Sequence, residues 1–226
     1  MPELDLAARL RPLPRHAVFQ MPGYYVWCGS LCRGPEGKYY LLFSRWPEAT
    51  GFKGWVTHSE IGVAVGNSPG GPFTFDRVVL PGAGGEVWDA QVTHNPAVLA
   101  AEGRYYLYYM GNRGNGEYWN HRNHQRLGVA VADHPGGPWE RFDQPLIDVN
   151  KQSWDFMIAA NPTVTSTPDG RYLMIYKTCT DGPPPFGGNV LHAVAFADHP
   201  TGPFTRLPDP IFTAAGVQFP AEDPCV

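Results

Sequence analysis

Four carboxylic acids stand at positions of this chain where the surrounding sequence repeats, and they are its candidates for catalysis. Trp88-Asp89 and Trp154-Asp155 lie 66 residues apart, and Glu222-Asp223 lies near the end of the sequence. Carboxyl groups run acid–base chemistry when one donates a proton while another, ionised, activates water or attacks the substrate. We therefore predict Asp89, Asp155, Glu222 and Asp223 as catalytic residues, with Asp89 as the base.

A repeat of 65 or 66 residues determines where these acids lie. Each unit has a short opening segment, a Gly-Lys/Arg-Tyr run, a Val-Ala-rich run and a Gly-Pro-aromatic turn into a last short run, which we interpret as four strands. The turns are Gly71-Pro72-Phe73, Gly137-Pro138-Trp139 and Gly202-Pro203-Phe204. Repeats of this length predict an all-β array of similar four-stranded sheets, with a β-propeller as the leading candidate.

The repeats divide the chain into three blades and the beginning of a fourth. We place the blades at about 24–80, 92–147 and 159–213, and the start of the fourth near 221. A four-stranded sheet hides both faces only by stacking on neighbours, and a ring closes only when its last blade meets its first. We therefore predict one partial propeller domain over 1–226, a fragment of about three blades plus one strand, which need not be active by itself.

The opening segments, called openers below, show what the first strands bring to the channel. Aligned by the repeat, with Gly29 opposite Asn95, they are Cys28-Gly29-Ser30, His94-Asn95-Pro96, Ala160-Asn161-Pro162 and Glu222-Asp223-Pro224. Since first strands line the channel of a propeller, we expect the four acids and His94 around one mouth. Three alternatives stay open: the Trp-Asp pairs are structural, Asn95 and Asn161 pin adjacent blades, and Glu222-Asp223 is a solvated chain end.

The openers and the Gly-Pro-Phe turns resemble those of the five-bladed propellers of glycoside hydrolase family 43 and its relatives, families 32, 62, 68, 117 and 130, over nearly the whole chain. The resemblance implies a glycosidase that cleaves an oligo- or polysaccharide, by inversion, with carboxylates from first strands of different blades. The Glu-Asp-Pro opener is similar to that of family 130, which makes Asp223 or Glu222 the proton donor or the pKa-setting residue. The chain departs from the commonest family 43 pattern because unit one has no Asp at its opener.

Two other functions remain open for the same fold. A glycoside phosphorylase would need a basic phosphate pocket, for which the candidates are Arg45, Arg113, Arg122 and Arg126. A non-catalytic carbohydrate-binding propeller is favoured by the missing acid of unit one. Fold alone does not decide among the three.

Aromatic and polar side chains near the openers are candidates for binding a sugar, because aromatic faces stack on sugar rings and Arg binds hydroxyls or carboxylates. The predicted substrate-binding residues are His94, Trp27, Arg45, Trp46, Asn95 and Asn161, with Trp55 and Trp119 as further aromatic candidates. Core packing is the alternative for each aromatic residue. Long segments between the second and third strands, at 46–60, 112–126 and 178–189, are expected to gather on one face and rim the pocket.

Composition excludes several other classes of protein. The 226 residues are 43% hydrophobic, include 26 glycines and 24 prolines, and carry a formal net charge of -4 without long runs of one sign. We predict no nucleic-acid or membrane partner. No cysteine pair has CxxC spacing, and residues 1–21 contain no signal-peptide pattern, which favours free thiols and a cytoplasmic location. His121 and His124 have only Glu117 nearby, so we predict no metal and no cofactor.

Overall fold

In a computed structural model, residues 8, 12 and 14–226 are described; part of the N-terminal segment in which we predict no export signal lies outside the described residues. The described chain is all-β, as predicted, and forms three four-stranded antiparallel sheets, each with its strands in chain order. Blade one contains β1 (Tyr24–Arg33), β2 (Tyr39–Pro47), β3 (Glu60–Gly66) and β4 (Phe73–Leu80). Blade two contains β5 (Val92–Ala101), β6 (Arg104–Asn112), β7 (Arg126–Ala132) and β8 (Glu140–Arg141). Blade three contains β9 (Ala159–Ser166), β10 (Tyr172–Cys179), β11 (Val190–Ala197) and β12 (Thr205–Arg206).

Short helices lie in the connections between the second and third strands of blades one and two. Helix α1 (Trp55–His58) precedes β3, and helix α2 (Tyr118–Asn123) precedes β7; 3-10 turns cover Arg15–Ala17, Glu48–Thr50 and Phe52–Gly54. No helix within the described residues is long and apolar enough to cross a bilayer.

Blade two packs against a neighbouring blade on each face. This position explains why its second strand, β6, is almost entirely aromatic and aliphatic. Leu107 and Tyr109 pack into the cluster shared with blade one, whereas Tyr106, Tyr108 and Met110 pack into the cluster shared with blade three. Successive side chains of a strand point to opposite faces, so a strand between two neighbouring sheets needs apolar residues at every position. The cores of this protein therefore lie between the blades.

The turn before the fourth strand has the same backbone in all three blades. Gly71, Gly137 and Gly202 have φ angles of 77°, 80° and 81°, and each is followed by a cis proline. A positive φ of this kind favours glycine, since a Cβ would clash with the neighbouring backbone. The repeated Gly-Pro phrase of the sequence thus encodes a repeated turn.

The first strands of neighbouring blades lie side by side. β5 contacts β1 on one side and β9 on the other. Residues 219–226, where the start of a fourth blade is predicted, contain no strand in the structure, although Asp223 has the same positive φ as its counterparts in the other openers.

Candidate functional site

Each opener contains one residue in the left-handed backbone region. Cys28, Asn95, Asn161 and Asp223 have φ angles between 49° and 51°. Asn and Asp tolerate this conformation better than most residues because their side chains bond locally to the backbone. The four openers therefore make the same bend.

The position of this bend shows that the sequence alignment of the first opener, with Gly29 opposite Asn95, is off by one residue. The pairing of β1 with β2 shifts register between Trp27 and Ser30, and the pairing of β5 with β6 shifts between His94 and Ala97. Cys28, and not Gly29, is thus the equivalent of Asn95. The position before the bend is held by Trp27, His94, Ala160 and Glu222.

Two neighbouring cavities open at the bends. The first, of about 370 Å³, is lined by residues of all four openers. The second, of about 220 Å³, is lined by residues from the openers, β2, the segment that follows β2 through α1, and β10: Trp27, Trp46, Phe52, Trp55, His94, Asn95, Asn161, Lys177, Glu222 and Asp223. Trp27, Asn95, Asn161 and Asp223 line both, so the two cavities form one candidate site.

The acidic opener is held by two side chains of blade three. Lys177 Nζ lies 2.5 Å from Glu222 Oε1, and the Lys177 side chain is only 11% exposed. The amide of Asn161 donates a hydrogen bond to Asp223 Oδ1. Since an ion pair with a largely buried lysine fixes the position of its partner, both carboxyl groups are oriented toward the cavity that they line.

His94 is a neutral hydrogen-bonding group in this site. It is 4% exposed, its Nδ1 lies 2.7 Å from Ser59 Oγ, and its ring stacks on Trp55 with centroids 5.2 Å apart. Burial lowers the pKa of His94 to about 3, and the charge of Lys177 adds to the effect. With Nδ1 occupied by Ser59, Nε2 is the nitrogen available to a ligand in the cavity.

The asparagines of the openers link adjacent blades. The Asn95 amide donates to Cys28 Sγ at 2.9 Å, and the Asn95 backbone N–H donates to Ser44 Oγ at 2.9 Å. Burial, reinforced by the charge of Asp223, raises the pKa of the Cys28 thiol well above its usual range. The contacts agree with the pinning alternative, while Asn95 and Asn161 also line the cavity.

Aromatic residues of blade one form one wall of the second cavity. Trp27 is 46% exposed and Phe52 is 52% exposed, with ring centroids 5.7 Å apart. Trp46 is buried behind them and contacts both Phe52 and His94. Exposed rings at the edge of a cavity are suited to stacking on a sugar.

Asp89 and Asp155 do not line this cavity, contrary to the expectation of one shared mouth. Asp89 is 2% exposed, accepts a hydrogen bond from the Tyr109 hydroxyl at 2.8 Å and lies 3.1 Å from Arg141 Nη1. Asp155 is paired in the same way with Arg206. Each aspartate therefore neutralises an arginine from the fourth strand of its own blade, which favours the structural alternative for the Trp-Asp repeat.

A signal for these two ion pairs was present in the sequence. Arg141 and Arg206 each stand two residues after the aromatic residue of a Gly-Pro-aromatic turn, and they occur in the two units that contain Trp-Asp. Unit one has Phe75 at the equivalent place and lacks the Trp-Asp pair. The Trp-Asp pair and the arginine after the turn therefore occur together in two units and are both missing from unit one, as expected for two groups that form an ion pair.

Arg45 also lies away from the cavity. Its guanidinium pairs with Glu60 at 2.8 Å and lies over the rings of Tyr24 and Phe75, at 4.4 and 4.5 Å from their centroids. The other three candidate phosphate ligands are engaged too: Arg113 with Glu86, Arg126 with Asp148, and Arg122 with the Phe186 carbonyl. None of the four lines the two cavities.

Lys177, Ser59 and Phe52 are site residues that the sequence reasoning missed. Lys177 lies on β10 opposite Ala160, whose small side chain leaves room beside it. A lysine inside an otherwise apolar strand was a signal that it has a partner. Among the described residues no group of three or more His, Cys, Asp or Glu side chains could hold a metal ion; His121 bonds Asn112, and His124 bonds the Asn120 carbonyl.

Comparisons with known proteins agree with the fold. No family model matches the chain. A xylosidase/arabinosidase of Bacteroides ovatus is 27% identical over 208 residues, which are 81% of this chain and 55% of that protein. The chain thus spans about half the length of the curated relative that it matches.

Solved structures give the same result. A family 117 glycoside hydrolase of Zobellia galactanivorans is 22% identical with a TM-score of 0.65, over 82% of this chain and 56% of its own. A family 43 β-xylosidase/α-arabinofuranosidase from a compost metagenome, solved with xylotriose, is 19% identical with a TM-score of 0.54, over 83% and 60%. The predicted resemblance is confirmed: the three blades have the fold of the propeller glycoside hydrolases of families 43 and 117, and correspond to about half of those chains.

Proposed function

We propose that the protein is a glycoside hydrolase whose reaction takes place in the cavity at the openers. The observation that carries the proposal is the convergence of Glu222, Asp223 and His94 with the exposed ring of Trp27 in one cavity. Glycosidic cleavage needs one carboxyl group that protonates the leaving oxygen and one carboxylate that activates water or attacks the sugar. The matched xylosidase/arabinosidase supports a pentose-containing glycan as the first substrate to test.

The contacts of the acidic opener suggest a division of roles. In this proposal Glu222, paired with Lys177, is the group that activates water or attacks the sugar, and Asp223, whose Oδ1 accepts from Asn161, is the group that faces the leaving oxygen. Asn95, Asn161 and His94 bind sugar hydroxyls, and Trp27 with Phe52 stacks on a ring. Asp89, Asp155 and Arg45 act structurally in this scheme.

Substitution of the two acids in the full-length protein tests the proposal. Asp223→Asn and Glu222→Gln should each lower turnover of a 4-nitrophenyl glycoside by at least about 100-fold, the usual contribution of a positioned acid or base. Asp198→Asn, at an exposed aspartate that directly follows β11, is the matched control and should keep full turnover. Near wild-type turnover by both site variants would refute the assignment.

A carbohydrate-binding protein without catalysis is the second candidate. It is favoured by the bend residues of the three described blades, Cys28, Asn95 and Asn161, none of which is a carboxylic acid. Calorimetric binding of a glycan that the full-length protein never cleaves would establish it. A phosphorylase is not favoured, because Lys177, the one Lys or Arg among the described residues that line the cavity, is already paired with Glu222. Turnover should therefore not depend on phosphate.

A further inference from the structure

A continuous row of aromatic rings leads out of the cavity across loops of all three blades. Trp55, which lines the cavity, contacts Tyr118 of α2 at 6.3 Å between centroids. Tyr118 contacts Trp119 at 5.1 Å, and Trp119 contacts Phe186, from the loop after β10, at 6.1 Å. The row therefore connects the candidate site to a surface outside it.

Helix α2 is fixed to the loop of blade three by polar contacts. Arg122 is 7% exposed, donates to the Phe186 carbonyl at 2.9 Å, and places its guanidinium 4.7 Å from the centroid of the Phe186 ring. Asn123 donates to the Pro185 carbonyl at 3.0 Å. A surface helix of six residues is thus held in place by a buried cation and two interloop hydrogen bonds.

Trp119 remains 38% exposed on this fixed helix. Tyr118 and Phe186 meet its ring edge-on, at interplanar angles of 87° and 77°, and the Arg122 guanidinium lies 5.9 Å from its centroid. An exposed tryptophan on a rigid support provides a large apolar surface at little cost in conformational entropy, which is the property needed to bind the apolar face of a sugar.

The helix also lies within electrostatic reach of the acidic opener. Burial raises the pKa of Tyr118, and the charge of Glu222 adds to the increase while Arg122 opposes it. Tyr118, which joins Trp55 to Trp119 in the row, is therefore close enough to the acidic opener to feel the charge of Glu222.

We propose that Trp119, supported by Phe186 and Arg122, is a second sugar-binding platform outside the cavity, which holds a unit of the same glycan chain farther from the cleaved bond. The inference rests on the proposed function and refines it: the substrate is an oligo- or polysaccharide of several units, and a short glycoside uses only the cavity. The occupant is a glycan because the row of rings is continuous with the candidate site.

The test compares a long and a short ligand in the full-length protein. Calorimetry on the Asp223→Asn variant should give dissociation constants for xylotriose, β-1,3-galactotriose and arabinotriose, and for the matching 4-nitrophenyl monosaccharides. Adding Trp119→Ala should weaken the trisaccharide that binds by about tenfold, equivalent to about 1.4 kcal/mol, and the monosaccharide by less than twofold. Trp119→Phe, which keeps an aromatic face, should recover most of the loss. Phe142→Ala is the control, since Phe142 is 49% exposed on blade two and lies outside the row.

The outcomes separate this inference from the proposed function. Equal losses for long and short ligands, or no loss with either, would overturn the platform even if the wild-type protein cleaves glycans. Binding of a trisaccharide that depends on Trp119 but is never cleaved would refute the hydrolase and retain the platform. If none of these glycans binds, both fall, and a protein partner for the exposed ring becomes the better explanation.

Discussion

The buried ion pair between Asp89 and Arg141 permits a direct test of the structural assignment of the Trp-Asp repeat. Asp89→Asn keeps the size of the side chain and removes its charge, so Arg141 is left without a counter-ion while Tyr109 can still donate to the amide oxygen. Removing one partner of a buried pair costs about 3–5 kcal/mol. Because the Arg141 side chain is 20% exposed, the lower end applies, about 3 kcal/mol.

The loss is large enough to measure by thermal unfolding. For a chain of this size each kcal/mol lowers the midpoint by about 2–4 °C, so Asp89→Asn should melt about 6–12 °C below wild type. Circular dichroism of the variant and of the wild-type protein measures the midpoint, and turnover by the same variant at 25 °C should stay within a few-fold of wild type. Asp223→Asn should show the reverse, with a normal midpoint and lost turnover.

A double-mutant cycle shows whether the cost arises from the pair itself. In Asp89→Asn/Arg141→Met the uncompensated cation is gone, so the double variant should be less destabilised than the sum of the single variants. An Asp89→Asn protein that melts like wild type but has lost turnover would refute the reasoning and return Asp89 to the catalytic machinery.

Two further predictions follow from burial and close packing. His94 has a pKa of about 3 in the folded protein, so below a pH of about 6.5 the folded protein binds fewer protons at this residue than the unfolded chain does, and folding stability should decrease as the pH falls. In His94→Gln the melting midpoint should therefore depend less on pH between pH 6.5 and 4 than in wild type. The same dependence of the midpoint on pH in both proteins would contradict the assignment. Gly128→Ala would place a Cβ 2.5 Å from Trp88 and should destabilise by about 1–3 kcal/mol in urea unfolding, whereas Gly70→Ala, where nothing lies within 4 Å, should change stability little; similar midpoints for both variants would contradict the packing argument.

The strands and their order could be predicted from the sequence because each turn repeats with its own glycine or proline. The alignment of the first opener could not, since the spacing between bends varies: it is 67 residues from Cys28 to Asn95 and 62 from Asn161 to Asp223. A constant repeat of 66 residues therefore places Gly29, rather than Cys28, opposite Asn95. Only the strand register and the shared positive φ identify Cys28.

The site was predictable where the opener itself carries the functional group, and unpredictable where a contact crosses between strands. His94, Glu222 and Asp223 follow from the repeat, Trp27 follows from its type and its place next to the first opener, and all four line the cavity. Lys177 belongs to another strand, and its role depends on a residue 45 positions away. The prediction that Asp89 is catalytic depends only on the repetition of the Trp-Asp pair, and such a repetition cannot distinguish a catalytic acid from one that neutralises a neighbouring arginine.

The four openers share a backbone bend but differ in the side chain at the bend, so the backbone conformation and the chemistry of this position vary independently. Cysteine, asparagine and aspartate occupy the same backbone conformation, so the fold does not depend on which of them is present. Asparagine and aspartate are nearly isosteric and their codons differ by one base. During divergence of such proteins, a bend position could gain or lose a carboxylate in a single mutational step while strand pairing stays intact. Binding proteins and enzymes on this scaffold would then be evolutionary neighbours, with the identity of a few side chains at the axis deciding between them.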